Sequence, residues 1–346
     1  GGEELVTLEE LLEAETILRG YDDVLRTPLV ALDGDHLPPE LLASDNPGLP
    51  QGLLLKLESL QTTGSFKYRG MRHKFHKSDL SRLKDRGIVT FSAGNAGRAV
   101  AFLAHKEGLQ AKVFMPATAP AERQHLLESY GAQVHRREGS QLLSSAAECV
   151  QEGSVLFHPF DDLDLIRGHA TCGLEILAEI PDVNVIVVPC GGGGLLAGVA
   201  AAAKMKETEP ECAAPRVIGV EPVGASSMAI SLKAGTASWC PEGGKTDTIA
   251  HGLAPPFAGR ATYNHVKEFV DEVVLVTDRD IRRATRLLYH AGVVAETSAA
   301  AAVAAVAYGY CGDLTGRKVV CVVSGRNISV EELSAAISDV DAPMSH

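Results

Sequence analysis

The sequence predicts an α/β fold with parallel β-sheet, on three observations. Short runs of Val, Ile and Leu recur along the chain, most of them continuous rather than alternating. Stretches of helical length, many rich in Ala, separate these runs. Glycine is abundant, 34 of 346 residues, and there is one Trp, which suits tight loops on small-residue helices. Continuous apolar runs fit strands buried on both faces, as in a parallel sheet covered by helices. Intervening helices supply the crossovers that parallel pairing needs.

In chain order the first strand is predicted at Leu53–Leu57, apolar but for Lys56, and the second at Gly87–Phe91. Helical periodicity follows over Asn95–Glu107, then a strand at Ala111–Met115 and a helix at Pro120–Tyr130. Gln133–His135 and Val155–His158 read as short strands, and Val183–Pro189 as a longer one with no polar residue after Asn184. The Ala-rich helix Leu195–Lys206 comes next, then strands at Val217–Glu221 and Val273–Val276. Thr277-Asp278-Arg279-Asp280 is a cap sequence that opens a helix over Asp278–Ala291. Val319–Val323 is the last strand, and 340–346 reads as a loose tail. No repeat or low-complexity linker divides the chain, so two domains must come from sheet topology.

Charge narrows the partners. Asp plus Glu number 44 against 32 Lys plus Arg, a formal charge of −12. Such a surface repels phosphate backbones and anionic lipid, so neither nucleic acid nor membrane is expected to bind. The stretch 67–86 holds eight Lys or Arg, but with no interleaved stacking aromatics beyond Tyr68 and Phe75 it reads as a solvated helix face around one functional lysine. Seven cysteines include no C-x-x-C pair, which argues against a zinc knuckle or a disulfide framework and for a reducing, cytoplasmic setting. Cys190 and Cys321 lie in apolar runs and are expected to be buried. The most apolar stretch, 293–308, carries Glu296 and is no membrane span. The first ten residues have neither basic nor apolar regions of a secretion signal.

The chemistry concentrates where strands end. After Val183–Pro189 come Cys190 and four glycines, Gly191 to Gly194, and then the helix from Leu195. Consecutive glycines turn the backbone sharply, gather N–H groups into one concavity and add a helix N-terminus, which makes an anion site suited to phosphate. The absence of a GK[ST] sequence excludes a Walker loop. Gly192-x-Gly194-x-x-Ala197 fits a loose dinucleotide fingerprint, with Glu221 ending the next strand as a possible ribose acid, so a nicotinamide oxidoreductase stays open.

Three more junctions bear on the choice. Gly64-Ser65-Phe66-Lys67 places a lysine at a helix start beside an apolar ring, where both desolvation and the dipole disfavour its ammonium form and suit a Schiff-base lysine. Phe91-Ser92-Ala93-Gly94-Asn95-Ala96 offers N–H groups and a hydroxyl that could hold a carboxylate, with Ser92 or Asn95 as ordinary helix caps. Ser324-Gly325-Arg326-Asn327 sets a hydroxyl at the C-terminal end of a strand, where ligands bind in parallel sheets.

Taken together, these residues resemble the fold-type-II pyridoxal-phosphate enzymes, and among them the threonine/serine dehydratase and serine racemase group. The resemblance runs from Arg26-Thr27-Pro28-Leu29 to Ser324. Its most specific part is Ser59 to Lys67, and His158-Pro159-Phe160-Asp161-Asp162 and Thr248-Ile249-Ala250 add to it. It implies a tryptophan-synthase-β-like architecture: two open, twisted, mostly parallel sheets flanked by helices. The large cofactor domain would comprise 1–87 and 164–346, the small domain 88–163. It implies that Lys67 carries pyridoxal 5′-phosphate, with Phe66 and Gly252 beside it. Asn95 would bond the ring oxygen, Gly191, Gly192, Gly193, Gly194 and Leu195 would cradle the phosphate, and Ser324 would face the pyridine nitrogen. Ser92, Ala93, Gly94, Asn95 and Ala96 would hold the substrate carboxylate. The implied activity is dehydration and deamination of a β-hydroxy amino acid to a 2-oxo acid and ammonia, in a homodimer. The alternative within the family is a racemase.

The sequence departs from the family pattern at several places. Ala93 stands where racemases carry a proton-shuttling serine, and a methyl group shuttles nothing. Ala96 replaces a common His, and His169-Ala170-Thr171, His251 and Arg326 also differ. These changes fit either compensated drift or a substrate bulkier than threonine. The family's Mg²⁺ or Ca²⁺ site maps to Glu221, Ala225 and Ser227, with Ser227 in place of an Asp, a loss of one hard anionic ligand.

Overall fold

The computed structural model describes residues 4–32, 52–206, 213–240 and 244–338; Cys212 and the tail 340–346 lie outside them. The strands are β1 (Leu29–Ala31), β2 (Leu53–Leu57), β3 (Ile88–Phe91), β4 (Ala111–Pro116), β5 (Gln133–Arg137), β6 (Val155–Leu156), β7 (Val185–Pro189), β8 (Arg216–Pro222), β9 (Glu272–Val276) and β10 (Val319–Val323). The helices are α1 (Leu8–Arg19), α2 (Lys67–Lys77), α3 (Leu80–Arg86), α4 (Asn95–Glu107), α5 (Ala121–Ser129), α6 (Leu142–Gln151) and α7 (Leu163–Glu179). They continue with α8 (Gly194–Met205), α9 (Ser227–Ala234), α10 (Arg260–Phe269), α11 (Asp278–His290), α12 (Thr297–Ala307) and α13 (Val330–Ser338). This is the expected α/β class with two mostly parallel sheets.

Six strands form one sheet in the order β1-β2-β10-β7-β8-β9, and four form the other in the order β5-β4-β3-β6. Every pairing is parallel except β1 with β2, an antiparallel edge the sequence reading did not anticipate. Three residues beside Pro28 carry too little pattern to announce a strand. The run Val155–His158 pairs only through Leu156, because His158-Pro159 leaves the sheet for the cleft.

The two faces of the large sheet explain the unbroken valine runs. Val185, Val187, Val319, Cys321 and Val323 pack with α12, buried from Ser298 to Ala307, on one face. Ile186, Val188, Val320 and Val322 pack with α8 on the other. Successive side chains alternate faces, so a strand covered twice is apolar throughout. Alanines on α8 and α12 let those helices lie close to it. As expected, Cys190 and Cys321 are buried, and the hydroxyl of Thr277 accepts the Asp280 N–H to cap α11. Among the described residues no helix is long and apolar enough to cross a membrane.

One polar cluster lies inside this apolar frame. Lys56 on β2 donates to Glu175 on α7 and to the Thr27 carbonyl, both at 2.6 Å. Arg69 on α2 holds Glu58 through Nε and Nη2, each at 2.8 Å, and Glu175 through Nη1 at 2.7 Å and Nη2 at 2.8 Å. Burial pushes the Glu58 carboxyl up, but Arg69 overcomes it and holds Glu58 below the usual carboxylate range. Two cations and two carboxylates balance, so each charge is compensated where water cannot reach.

Removing one partner should therefore be costly. Arg69→Leu is expected to destabilise the fold by about 3–5 kcal/mol, because two buried carboxylates would share Lys56 alone. Lys77→Ala, which breaks an exposed pair with Glu13, should cost less than about 1 kcal/mol. Urea unfolding of both variants measures the contrast, and equal losses would contradict a compensated buried cluster.

Candidate active site

The site lies where strands of both sheets end. β2 leads through a strained turn to Lys67, β3 to Ser92–Asn95, β7 to the four glycines, β8 to Glu221 and β10 to Ser324. In that turn Thr63 has φ 67°, the one non-glycine residue with positive φ among the described residues. Strain of this kind persists where neighbours over-determine the backbone. Here the Asn327 amide donates to the Thr63 carbonyl at 2.9 Å and the Arg326 N–H to the Gly64 carbonyl at 2.9 Å. A Cβ at Gly64, whose φ is 80°, would overlap Asn327.

Lys67 opens α2, as expected. Its ammonium donates to the Pro159 carbonyl and lies 5.0 Å from the centre of the Phe66 ring. Burial lowers its pKa to about 8, against an opposing pull from Glu296. An amine this weakly basic is in part unprotonated at neutral pH, ready to attack a carbonyl or to take a proton.

The glycine run bends as its composition demands. Gly193 is left-handed at φ 89° and caps α8, and no side chain caps that helix. A Cβ at Gly192 would overlap the Phe160 ring, and one at Gly191 would stand 2.8 Å from the Gly252 carbonyl. The glycines thus serve packing as well as access: they bring Phe160 and Gly252 against an open helix N-terminus. That end has no side-chain cap and carries the positive end of the helix dipole, the chemistry that suits an anion.

Across the cleft, Ser92 accepts the Gly94 N–H at 3.2 Å, and Gly94 leaves α4 without a side-chain cap. Ser92, Ala93, Gly94 and Asn95 are half-buried and Ala96 is buried. Asn95 is more engaged than the sequence indicated. Its Nδ2 donates to Glu296 at 2.8 Å and its Oδ1 accepts from Asn327 at 2.6 Å, which leaves one N–H for a ligand. Arg98 completes this network by donating to Asn327 at 2.7 Å. Ser324 is buried at the end of β10, and its carbonyl accepts the Phe66 N–H at 3.0 Å.

Glu296 is the residue the sequence reading missed as part of the site. Burial raises its pKa to about 7 against the Asn95 hydrogen bond, and it is near enough to Lys67 to hold that amine's pKa up. A lone carboxylate at the head of an Ala- and Val-rich stretch was the available signal. In the sequence His158 stands out only as the first residue of His158-Pro159-Phe160-Asp161-Asp162. Its Nδ1 accepts the Phe160 and Asp161 N–H groups at 3.2 and 2.8 Å, so a proton on this ring sits on Nε2. Burial lowers its pKa to about 4, which keeps it neutral.

Glu221 is turned to another task. Its two oxygens accept the Met228 and Ala229 N–H groups of α9, each at 2.8 Å, and burial raises its pKa to about 8. These bonds tie the end of β8 to the start of α9. Ala225 and Ser227 are buried beside that helix start. Among the described residues no group of three or more His, Cys, Asp or Glu is placed to hold a metal ion.

The family profile described as pyridoxal-phosphate dependent enzyme matches residues 22–325. An L-threonine ammonia-lyase of Thermotoga maritima is 40% identical over 341 residues, covering 96% of this chain and 79% of that one. Another, of Geobacter sulfurreducens, is 39% identical over 298 residues, 85% of this chain and 71% of that one. The maize serine racemase structure superposes with a TM-score of 0.82 at 30% identity, covering 96% of this chain and 97% of that one.

The electrostatic link between the two buried groups is testable. Glu296→Gln removes the negative charge that holds the Lys67 pKa up, so that pKa should fall below its value of about 8. The pH dependence of Lys67 carbamylation by cyanate, read by mass spectrometry, measures it. An unchanged or raised value would place Glu296 too far away to act.

Proposed function

The chain belongs to the pyridoxal-phosphate dependent enzymes, and from that membership we propose that it eliminates the hydroxyl of a β-hydroxy amino acid, threonine or serine foremost, to give a 2-oxo acid and ammonia. The observation that carries this reading is Lys67, a buried amine of lowered basicity at the head of α2, whose ammonium donates to the Pro159 carbonyl and whose neighbour Phe66 donates its N–H to the Ser324 carbonyl. The chain is similar over most of its length to L-threonine ammonia-lyases of Thermotoga maritima and Geobacter sulfurreducens.

The residues present fit the cofactor. Lys67 would hold its aldehyde and Gly191–Gly194 with Leu195 its phosphate. Asn95 would donate to its ring oxygen and Ser324 would face its ring nitrogen, with Phe66 and Gly252 alongside. Bound there, pyridoxal phosphate supplies an aldehyde that captures the substrate nitrogen and an electron sink that acidifies Cα. The protein does the rest. Lys67 Nζ, once unprotonated, accepts the Cα proton; a pKa near 8 matches that task at neutral pH. The open N-terminus of α4 at Ser92–Ala96 orients the substrate carboxylate. A neutral hydroxyl at Ser324, in place of a carboxylate, does not draw a proton onto a ring nitrogen. That favours departure of the β-hydroxyl over long storage of charge.

Elimination is preferred to racemisation because Ala93 has no proton to give. A cation at Glu221, Ala225 and Ser227 would meet one carboxylate only, with the neutral Ser227 hydroxyl in place of a second, which weakens such a site for Mg²⁺ or Ca²⁺. The bounds 88–163 for a small domain are supported by a four-stranded sheet drawn wholly from β3 to β6. A cytoplasmic setting is supported by the described cysteines, all free thiols.

Two variants test the chemistry. Lys67→Ala removes both the covalent anchor and the base, so 2-oxo acid release should fall at least about a thousandfold and the bound-cofactor absorbance should vanish. Turnover near that of the unmodified enzyme would sink the assignment. The unmodified enzyme should consume one enantiomer and hardly interconvert the two. Ala93→Ser should add measurable racemisation, because a hydroxyl there can return a proton to Cα. Chiral chromatography of the remaining substrate reads both. Interconversion by the unmodified enzyme as fast as 2-oxo acid release would show that another group supplies the second proton.

A further inference from the structure

His158 has one ring edge tied to the backbone and the other left open. It follows β6, where the chain leaves the smaller sheet, and it is half-buried. Its Nδ1 accepts the Phe160 and Asp161 N–H groups at 3.2 and 2.8 Å, which fixes the ring and places its proton on Nε2. The rings of Phe91 and Phe160 meet it edge-on, at 5.0 and 4.7 Å between centres. The two carboxylates that follow it are turned elsewhere. Asp161 accepts the Arg260, Ala261 and Thr262 N–H groups that open α10, at 2.9–3.2 Å. Asp162 accepts the Asp164 N–H at 2.8 Å to cap α7 and pairs with Lys74 at 2.9 Å. Nε2 has no hydrogen-bond partner among the described residues, yet it keeps accessible surface. Burial lowers the pKa of His158 to about 4, with Lys67 pushing the same way against Asp161 and Asp162, so the ring is neutral and donates without carrying charge.

The surroundings of this donor select its ligand. The next residue, Pro159, takes the Lys67 ammonium on its carbonyl. Phe91 leads directly into Ser92–Ala96, and Phe160 fills the place a Cβ at Gly192 would need. His158 therefore stands among the base, the carboxylate loop and the glycine loop. Resting on the elimination reading above, we propose that His158 donates its Nε2–H to the β-hydroxyl of the substrate. Of the groups on Cα, the nitrogen goes to the cofactor, the carboxylate to the N-terminus of α4 and the proton to Lys67. The side chain remains, and Phe91, His158 and Phe160 offer it two apolar rings and one donor, which suits a short side chain with one hydroxyl. The ring keeps its own proton: it orients the oxygen and draws charge from the Cβ–O bond as that bond breaks. The electron pair of that bond leaves with the oxygen, and the pair of the Cα–H bond forms the Cα–Cβ double bond. The proton that Lys67 takes from Cα balances the one that leaves in water.

The leaving group isolates the contact. Chloride departs without a proton and accepts hydrogen bonds only weakly, so 3-chloroalanine is compared with serine and threonine of the same configuration. The full-length, cofactor-loaded enzyme is assayed for 2-oxo acid release from each. His158→Asn keeps the turn, because the Asn Oδ1 can accept the Phe160 and Asp161 N–H groups as Nδ1 does, but it has no donor at the place of Nε2. Its kcat/KM for the hydroxy amino acids should fall about tenfold or more, the loss of one hydrogen bond in the transition state. Its kcat/KM for 3-chloroalanine should stay within about twofold. Equal losses on both kinds of substrate overturn the proposal by showing a structural role, and an undiminished rate on the hydroxy amino acids overturns it as well. If the unmodified enzyme releases 2-oxo acid from neither serine nor threonine, the elimination reading itself falls. A second measurement needs no turnover. In ¹⁵N NMR of the unmodified protein, with the His158 signal assigned by its loss in His158→Asn, the ring should be neutral and protonated at Nε2 at pH 7. A proton on Nδ1, or a charged ring, overturns the proposal.

Discussion

Everything around the candidate lysine depends on the buried cluster of Lys56, Glu58, Arg69 and Glu175. It joins β2, the turn after it, α2 and α7 through bonds of 2.6–2.8 Å. Lys67 lies two residues before Arg69 on the same helix, so the geometry that fixes Arg69 also fixes the amine. A hydrophobic cluster of equal volume could pack the three elements, but it would not set their register as a forked guanidinium between two carboxylates does. The arrangement favours position over stability, since buried ion pairs contribute little net energy once desolvation is counted.

A second set of polar bonds closes the site from above. Asn95 and Arg98, on α4 of the smaller sheet, reach Glu296 and Asn327 on the larger one. Asn327 in turn holds the strained Thr63 turn that precedes Lys67. The cleft between the sheets is thus tied by one continuous network running from α4 to the lysine's own loop. Closing or opening the cleft has to move this network. Any change in the charge of Glu296 is felt both at Asn95, through a hydrogen bond, and at Lys67, through space.

The glycines reveal a further constraint. At Gly192, Gly70 and Gly64 the missing Cβ makes room for Phe160, His169 and Asn327 respectively. Each of these neighbours belongs to a different part of the chain, and each sits at the edge of the site. The high glycine content is therefore a record of close approaches between elements as well as of turns.

The sequence by itself determined the fold class, the strand series and the four strand-end segments that meet at the site. Periodicity is local, and a buried strand or a glycine run after it carries its signature within about ten residues. Lys67, Ser92–Asn95, the glycine loop and Ser324 were legible for that reason. The antiparallel β1 was not, because three residues carry no period, and the strand after Ser154 was read too long, because the departure of Pro159 is dictated by the cleft. Glu221 matched a ribose acid or a cation ligand in sequence, and only α9 folding back onto it gave its oxygens to Met228 and Ala229. Glu296 and Asn327 gained their meaning in the same way. Their partners lie tens to hundreds of residues away, and burial and charge compensation are properties of neighbours in space. Local pattern fixed which segments form the site; the tertiary structure alone decided which side chains in it are paired, which are charged and which are left facing a ligand.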